Sequence, residues 1–330
     1  MAKDIAVLGS GSWGTAATIL LRRNNHNVTL WSRNEKKSQN LANTRQNSEY
    51  LPGVPLDDEI VFTSDISCVK DKDLVVIATP SSSVREIAKS ISKYLESGSK
   101  IVILAKGLEQ GTHLTMSDVV REECPDSEIA VMSGPSHAEE ASRDMPTLNV
   151  VASTDNECAL FVQDVFMSDV FRMYTSTDVK GVEYGGALKN VIALCAGVIE
   201  GIGFGDNTKA ALMTRGISEI ARLGTALGAK TDTFWGLSGI GDLIVTCTSM
   251  HSRNRRAGIL IGKGMSAAEA QQEVHMVVEG ILTTKAAYEL AQKTGIEMPI
   301  VSAAYDVIYN GANPKTAITN LMLRDKKAEN

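Results

Sequence analysis

Lys189 is the ionisable residue with the most unusual surroundings in the sequence. On a helix, its neighbours three and four positions away are Gly185, Gly186, Ile192 and Ala193, which are all small or apolar. A lysine on such a face is buried, and burial without an opposite charge or a ligand costs free energy. Burial also shifts the pKa of an ammonium group readily, which is the property that a proton-transfer catalyst uses. We therefore predict that Lys189 is catalytic, with purely structural burial as the alternative.

Polar residues directly follow two short apolar runs in the first half of the chain. Lys106 follows the run Ile101–Ala105, and Gly134 and Ser136 follow the run Ile129–Met132. Ligands of doubly wound sheets bind beyond the carboxyl ends of the strands. Lys106 could therefore stabilise charge on a substrate, while Gly134 and Ser136 could offer close backbone approach and a hydroxyl group. The alternatives are a solvated lysine and a plain helix N-cap at Ser136.

The second half adds a carboxylate and an anion-binding pattern. Asp242 lies in a glycine-containing turn before a helix, where it could orient Lys189 or cap the helix. Ser252, Arg253 and Asn254 combine a hydroxyl, a fork of N–H donors and an amide at a helix start. This combination suits a phosphate dianion, and a solvated basic patch is the alternative.

The segment Gly9-Ser10-Gly11-Ser12-Trp13-Gly14 matches the dinucleotide fingerprint G-x-G-x-x-G. It follows the apolar run Ile5–Leu8 and opens a helix-length segment, as the fingerprint requires. Gly9 would permit the tight turn, Gly11 the approach of a pyrophosphate, and Gly14 the packing of helix on strand. The free N–H groups of the helix start would then bind phosphate. The pattern predicts a dinucleotide cofactor, against a plain glycine-rich loop.

The residues after the second apolar run indicate which dinucleotide is used. An Asp or Glu at this position binds the ribose 2′-hydroxyl of NAD, whereas here Val28–Trp31 is followed by Ser32 and Arg33. A hydroxyl and a guanidinium suit a 2′-phosphate, which a carboxylate would repel. We predict that NADPH is preferred and that NADH can also be used, unless Arg33 simply points into solvent.

The elements that must position these residues fall into two halves of different character. In the first half, short apolar runs alternate with helix-length segments, which predicts an α/β, doubly wound, Rossmann-like domain over residues 1–180. In the second half, long Ala/Gly/Ile/Leu stretches predict an all-α substrate-binding domain over residues 181–330. No linker composition separates the halves, so we expect close packing and one shared helix. The predicted strands are Ile5–Leu8, Val28–Trp31, Leu74–Ala78, Ile101–Ala105 and Ile129–Met132.

Composition narrows the class of protein. The chain has 330 residues, 43% of them hydrophobic, and a net charge of −6, so we expect no nucleic-acid partner. No apolar run approaches the roughly 18 residues of a membrane span, and the start lacks a secretory apolar region. Five scattered cysteines without a CxxC pair, and histidines without ligand spacing, predict neither disulfides nor a metal site. The sequence therefore predicts a soluble cytoplasmic protein without membrane insertion.

Taken together, the motifs resemble those of the bacterial NAD(P)-dependent glycerol-3-phosphate dehydrogenase family. The resemblance runs through the whole chain, and the order and spacing of the motifs are specific to that family. The matching segments are GSGSWG at 9–14, YLPG at 50–53, AKGLE at 105–109, GPS at 134–136, EYGGALKN at 183–190, LSGIGDL at 237–243, SRNRR at 252–256 and VEG at 278–280.

The resemblance implies the reversible reduction of dihydroxyacetone phosphate to sn-glycerol 3-phosphate, the backbone precursor of phospholipids. It implies that Lys189 is the proton donor and acceptor, with Lys106 beside it, and that the chain forms a homodimer. The implied substrate contacts are Lys106, Gly134, Ser136, Lys189, Asp242, Ser252, Arg253 and Asn254. The implied cofactor contacts are Ser12, Trp13, Arg33, Lys106, Ala138, Arg253, Val277 and Glu279, and the dinucleotide fingerprint adds Gly9, Ser10, Gly11 and Gly14.

Two other functions remain open at this point. A β-hydroxyacid dehydrogenase also joins a Rossmann-like domain to a helical domain that carries a catalytic lysine. The phosphate-suited segment 252–256 and the GGALKN segment argue against it. A non-catalytic dinucleotide sensor is the second alternative, but it has no need for a lysine on a small-residue helix face.

Overall fold

A large twisted sheet builds the first half of the molecule. The computed structural model describes residues 1–326 and 328–329, and within them the sheet has eight strands in the order β10-β9-β8-β7-β6-β1-β2-β5. Its portion β5-β2-β1-β6-β7-β8 has the strand order of dinucleotide-binding folds. The strands are β1 (Asp4–Leu8), β2 (Asn27–Trp31), β5 (Val61–Thr63), β6 (Leu74–Ile77), β7 (Lys100–Ile103), β8 (Glu128–Ser133), β9 (Thr147–Ser153) and β10 (Phe171–Ser176), and a separate hairpin pairs β3 (Gln46–Asn47) with β4 (Leu51–Pro55).

Helices cover both faces of this sheet, which is why its central strands are apolar throughout. Every residue of β6 is buried, as are Ile5–Leu8 of β1. Parallel strands buried on both faces carry no polar alternation. The helices of this half are α1 (Ser12–Arg23), α2 (Glu35–Thr44), α3 (Val84–Ile91), α4 (Met116–Glu123), α5 (Ala138–Ala141) and α6 (Asn156–Phe166).

The predicted fold class is confirmed, and the structure adds strands that the sequence reading missed. The five predicted strands correspond to β1, β2, β6, β7 and β8, whereas β5, β9 and β10 of the sheet and the hairpin strands β3 and β4 were not predicted. The sheet is also not purely parallel, because β8 pairs with β9 in antiparallel register. Exposed residues alternate with buried ones in β10, so its sequence lacks the continuous apolar run used to find the others.

The second half is helical and is organised around one long central helix. This half contains α7 (Val179–Ile202), α8 (Asp206–Ala226), α9 (Asp242–Thr248), α10 (Arg253–Gly262), α11 (Ala267–Val274), α12 (Glu279–Thr294), α13 (Pro299–Tyr309) and α14 (Pro314–Met322). The start of α7 packs Val179 and Val182 into the core beneath the sheet, whereas Leu188 and Val191 belong to the helical core. The two halves therefore share this helix, as expected from the absence of a linker.

The same helix has the length and mean hydropathy of a membrane span. By length and composition, α7 is long and apolar enough to cross a membrane, with a mean hydropathy of 1.4 over its most apolar window. Within the protein, 72% of that window is buried. The expectation from the sequence concerns uninterrupted apolar runs, and charged residues such as Glu183 and Lys189 interrupt this helix. Its high mean hydropathy is that of a central core helix, which other helices surround.

Candidate active site

A cleft of about 440 Å³ lies between the sheet and the helical half. It opens at the carboxyl ends of β1, β6 and β7, where ligands of such sheets bind. Residues from α7, α9, α10 and α12 form its opposite side. The predicted site residues that line it are Gly9, Ser10, Gly11, Ser12, Trp13, Arg33, Lys106, Ser136, Ala138, Lys189, Asp242, Ser252, Arg253, Asn254, Val277 and Glu279.

The three fingerprint glycines occupy three different environments. Gly9 has φ +118°, and a Cβ there would lie 2.8 Å from the Ala78 carbonyl oxygen. A Cβ on Gly14 would lie 1.7 Å from the Gly9 carbonyl oxygen, so this glycine lets helix and strand meet and lies behind the cleft. A Cβ on Gly11 would meet no protein atom within 4 Å, because this position faces the open cleft.

These surroundings fit a dinucleotide. Helix α1 follows Gly11 directly, and Gly11 lacks a side chain that could cap the first N–H groups. Thr79, after β6, lines the cleft and has a buried hydroxyl without a hydrogen-bond partner among the described residues. Open backbone, unpaired N–H groups and an unsatisfied hydroxyl are the features that a pyrophosphate-containing ligand would use.

Two lysines share one carboxylate at the floor of the cleft. Lys189 Nζ lies 2.9 Å from Asp242 Oδ1, and Lys106 Nζ lies 2.7 Å from Asp242 Oδ2. Lys189 also donates to Thr246 Oγ1 at 2.6 Å, and Lys106 to the Gly134 carbonyl oxygen at 3.0 Å. Asp242 thus joins Lys106, which is 136 positions earlier in the chain, to Lys189, which is 53 positions earlier. The cluster thus brings together three of the predicted site residues.

Burial and charge act in opposite directions on this cluster. Lys189 is 6% exposed and Asp242 is 2% exposed. Burial lowers the pKa of Lys189 to about 8, although Asp242 opposes the shift, and the Lys106 charge adds to it. Burial alone would raise the pKa of Asp242, but the two ammonium groups outweigh it and hold that pKa below its ordinary value. Lys189 can therefore exchange a proton near neutral pH while Asp242 stays ionised.

The glycines beside Lys189 let the protein itself come close. A Cβ on Gly185 would lie 2.6 Å from the Ser238 carbonyl oxygen, and one on Gly186 would lie 2.6 Å from Ser133 Oγ. Ser238 belongs to a π-helical turn, 237–241, that leads directly into Asp242. The glycine-containing face of α7 therefore packs against the π-helical turn that leads into Asp242. Asp242 itself begins α9 with its side chain on the lysines, so the alternative of an N-cap is wrong.

The 252–254 segment starts α10, as the sequence predicts. Ser252 caps the helix by accepting from the Arg255 N–H group. Asn254 donates to Asn190 Oδ1 at 2.8 Å and accepts from the Gly280 N–H at 2.8 Å. It thereby ties α7, α10 and α12 together. Arg253 lines the cleft at the same helix start.

Two other predicted positions have partners within the protein. Gly134 lies outside the cleft lining, and a Cβ there would be 2.3 Å from Asn149 Oδ1. Ser136 donates to the Gly134 carbonyl oxygen, and its own carbonyl accepts from the Trp13 indole at 2.9 Å. The N-cap of α5 is His137, so the reading of Ser136 as an N-cap is wrong.

At the far end of the cleft, Arg33 forms an exposed ion pair with Glu86 at 3.1 Å. The neighbouring Ser32 is buried and accepts a hydrogen bond from Ser10. Across the cleft, Glu279 at the start of α12 accepts from the backbone N–H and hydroxyl of Ser81, at 3.0 and 2.6 Å. This pair joins the helical half to the loop after β6.

Sequence reasoning missed several residues that line the cleft. Thr246 completes the Lys189 site one helical turn after Asp242, and that spacing of four was the signal available for it. Asn190 also donates to the Lys106 carbonyl oxygen at 3.2 Å. His137 lies in the cleft, and its pKa is lowered by burial and by the Lys189 charge.

Comparison with known proteins places the chain in a family. The family model described as the N-terminus of NAD-dependent glycerol-3-phosphate dehydrogenase matches residues 4–159, and the model of its C-terminus matches residues 178–319. The chain belongs to the NAD-dependent glycerol-3-phosphate dehydrogenase family. This confirms the predictions of the family, of an oxidoreductase and of a nicotinamide cofactor, and it decides against the two alternative functions.

Relatives named glycerol-3-phosphate dehydrogenase [NAD(P)+] match over nearly their whole length. The protein from Moorella thermoacetica is 54% identical over 330 residues, covering 100% of this chain and 98% of that protein. The one from Desulfitobacterium hafniense is 52% identical, covering 100% and 93%. The crystal structure of glycerol-3-phosphate dehydrogenase from Coxiella burnetii has a TM-score of 0.94 and 34% identity, covering 98% of this chain and 99% of that one. The similarity thus extends over both halves.

Proposed function

We propose that this protein catalyses the reversible reduction of dihydroxyacetone phosphate to sn-glycerol 3-phosphate and so supplies the glycerol backbone of phospholipids. The observation that carries the proposal is the Lys106–Asp242–Lys189 cluster in a cleft whose other side is the glycine turn. A buried ammonium beside a dinucleotide site is what reduction of a ketone requires, because negative charge develops on the carbonyl oxygen.

Lys189 is the proposed acid in the reduction and the base in the oxidation. When bound, the reduced nicotinamide supplies the hydride that reaches C2 of the ketone. Lys189, as an ammonium, donates its proton to the carbonyl oxygen, and the neutral amine takes a proton from the alcohol in the reverse direction. A pKa of about 8 lets both forms be populated near neutral pH.

Asp242 and Lys106 support this proton transfer. The Asp242 carboxylate holds Lys189 in place and favours its charged form. Lys106, on the other oxygen of Asp242, adds a second positive charge that can stabilise the developing oxyanion. We assign Lys106 and Lys189 the catalytic roles, since both ammonium groups line the cleft.

The phosphate of the substrate is proposed to bind at the start of α10. Arg253 supplies a guanidinium fork, and the helix start supplies partial positive charge. Ser252 and Asn254 hold this helix start in position through their bonds to Arg255 and Gly280. Binding at a distance from C2 then fixes the reacting geometry. Ser136, which lines the cleft, and the backbone of Gly134, whose carbonyl oxygen accepts from Lys106, are proposed as the remaining substrate contacts.

The cofactor is proposed to bind along the other side of the cleft. Its contacts are residues 9–14, Arg33, Lys106, Ala138, Arg253, Val277 and Glu279. Arg33 favours NADPH over NADH, because a 2′-phosphate can replace Glu86 as its partner. We divide the chain into a cofactor domain over 1–180 and a substrate domain over 181–330, a boundary in the first turn of α7.

The cellular setting is proposed from the resemblance. We infer a cytoplasmic homodimer associated through the helical half, where Met322 and Leu323 at the end of α14 are 80% and 77% exposed. Analytical ultracentrifugation tests the dimer: a mass near twice 35.4 kDa supports it, and the monomer mass contradicts it.

A spectrophotometric assay tests the reaction. With dihydroxyacetone phosphate, we expect loss of absorbance from NADPH and, at a higher KM, from NADH. Dihydroxyacetone without its phosphate should react with a kcat/KM lower by at least 1000-fold, because the α10 contacts contribute only to the phosphorylated substrate. Equal kcat/KM values for the two ketones would contradict the proposed phosphate site.

A further inference from the structure

Arg256 ends the phosphate-suited segment 252–256 and lines the cleft, but the proposed function gives it no role of its own. It lies on α10, three positions after Arg253 and so on the same helix face. Both arginines line the cleft. Arg256 is half-buried, and its Nε is buried without a hydrogen-bond partner among residues 1–326 and 328–329. A buried donor of this kind costs free energy unless a ligand or solvent satisfies it.

The neighbouring Arg255 shows what a structural arginine does on this helix. Its Nε and Nη2 donate to the Glu200 carboxylate at 3.1 and 2.7 Å, and its Nη1 donates to the Thr248 carbonyl oxygen at 2.7 Å. Arg256 has no carboxylate within ion-pair distance in the described part of the chain. The Arg255 guanidinium is thus hydrogen-bonded within the protein, whereas the Nε of the adjacent Arg256 has no such partner among the described residues.

The charge of the cleft indicates what Arg256 would bind. Among the described residues, six cationic side chains and three acidic ones line the cleft. Of the acidic ones, Asp242 already holds two lysines, and Glu279 accepts from Ser81. The cations are Arg33, Lys37, Lys106, Lys189, Arg253 and Arg256. Arg253 and Arg256 act on each other as like charges at a helix start that is itself partly positive, and the nearby carboxylates of Glu279 and Glu139 act on Arg253. A bound anion between the two arginines would supply the compensation that Arg256 lacks.

We propose that Arg256 is a second phosphoryl-binding residue, which grips an anionic phosphate oxygen together with Arg253. The inference rests on the proposed function, because the phosphate comes either from the ketone substrate or from the pyrophosphate of the cofactor. In both cases Arg256 presents a planar fork of donors, which matches phosphate oxygens better than the single ammonium of a lysine does.

The test compares R256Q and R256K with K263Q. Lys263 follows the same helix but is exposed and does not line the cleft, so K263Q controls for the loss of one positive charge. For each variant, we would measure the KM for dihydroxyacetone phosphate, the Ki of inorganic phosphate and the Kd of NADPH by fluorescence. Thermal unfolding reports whether each variant is folded.

We expect R256Q to weaken phosphoryl binding by roughly tenfold to a hundredfold, the loss of a charge-assisted hydrogen bond. If the substrate phosphate is the partner, the KM and the Ki rise while the Kd stays within twofold. If the pyrophosphate is the partner, the Kd of NADPH rises instead. R256K should recover only part of the loss, and it serves as the deciding variant if R256Q does not fold.

All three constants of R256Q within twofold of those of K263Q would overturn the proposal. If R256Q does not fold, the same result in a folded R256K would overturn it. R253Q separates this outcome from a failure of the proposed site. If R253Q is impaired and the Arg256 variants are not, only the role of Arg256 is lost. If R253Q is unimpaired as well, the phosphate site at α10 itself is misplaced.

Discussion

The two sides of the cleft are built by different means. On the sheet side, a continuous six-residue segment presents backbone, and its glycines matter for the atoms that they lack. On the helical side, a cluster of side chains distant in sequence forms around one buried carboxylate: Lys189 of α7 contacts Asp242 of α9, and Lys106 reaches the same carboxylate from the end of β7. A binding surface made of backbone atoms tolerates few substitutions, because an added side chain fills the space beside it. The function of a cluster of ionised side chains depends instead on the charge of each member. The two sides should therefore respond differently to substitution.

The largest effect on activity is expected from Lys189→Ala, in the side-chain cluster. Loss of the proton donor should lower kcat by about 100- to 10,000-fold. The Kd of NADPH should stay within threefold, because the glycine turn is untouched. Lys180→Ala is the matched control, since Lys180 is an exposed lysine on the same helix. Activity of Lys189→Ala within tenfold of that of the control would show that another group moves the proton.

The glycine turn on the sheet side is best tested by two glycine substitutions whose new Cβ atoms have different surroundings. Gly14→Ala places its Cβ against the Gly9 carbonyl oxygen, so it should destabilise the fold by about 1–3 kcal/mol and weaken cofactor binding. Gly11→Ala meets no protein atom, so it should leave the melting temperature nearly unchanged and still raise the Kd of NADPH about tenfold or more.

Calorimetry of both variants, together with titration of NADPH, checks this contrast. Unchanged cofactor affinity in Gly11→Ala would mean that no ligand approaches the backbone there. The comparison between the two sides of the cleft would then lose its basis.

The smallest effect is expected at the rim, from Arg33→Ala. Its ion pair with Glu86 is exposed, so the fold should lose little stability. The KM for NADPH should rise about tenfold while that for NADH changes less than twofold, because only NADPH carries the 2′-phosphate. Steady-state kinetics with both cofactors measures this, and a parallel change in the two KM values would remove Arg33 from cofactor selection.

The same contrast explains what the sequence could predict. The glycine turn is local, so spacing alone predicts it, and buried parallel strands are visible as apolar runs. The strand β10 alternates buried and exposed residues near the sheet edge and gives no such run. The burial of Lys189 follows from its small neighbours, but its partner does not. From its sequence position, Asp242 is equally consistent with a helix cap. Its contact with Lys189 depends on the packing of the π-helical turn against α7, which no local pattern indicates.

Lys189, buried against Asp242, is the group proposed to move the proton. The most direct measurement is the pH dependence of kcat/KM in both directions. With a pKa of about 8, reduction should fall as pH rises through 8, since the ammonium is lost, and oxidation should rise over the same range. Asp242 favours the charged form, so Asp242→Asn should move both transitions to lower pH. Profiles that are flat from pH 7 to about 9.5, or that Asp242→Asn leaves in place, would mean that a group other than Lys189 moves the proton.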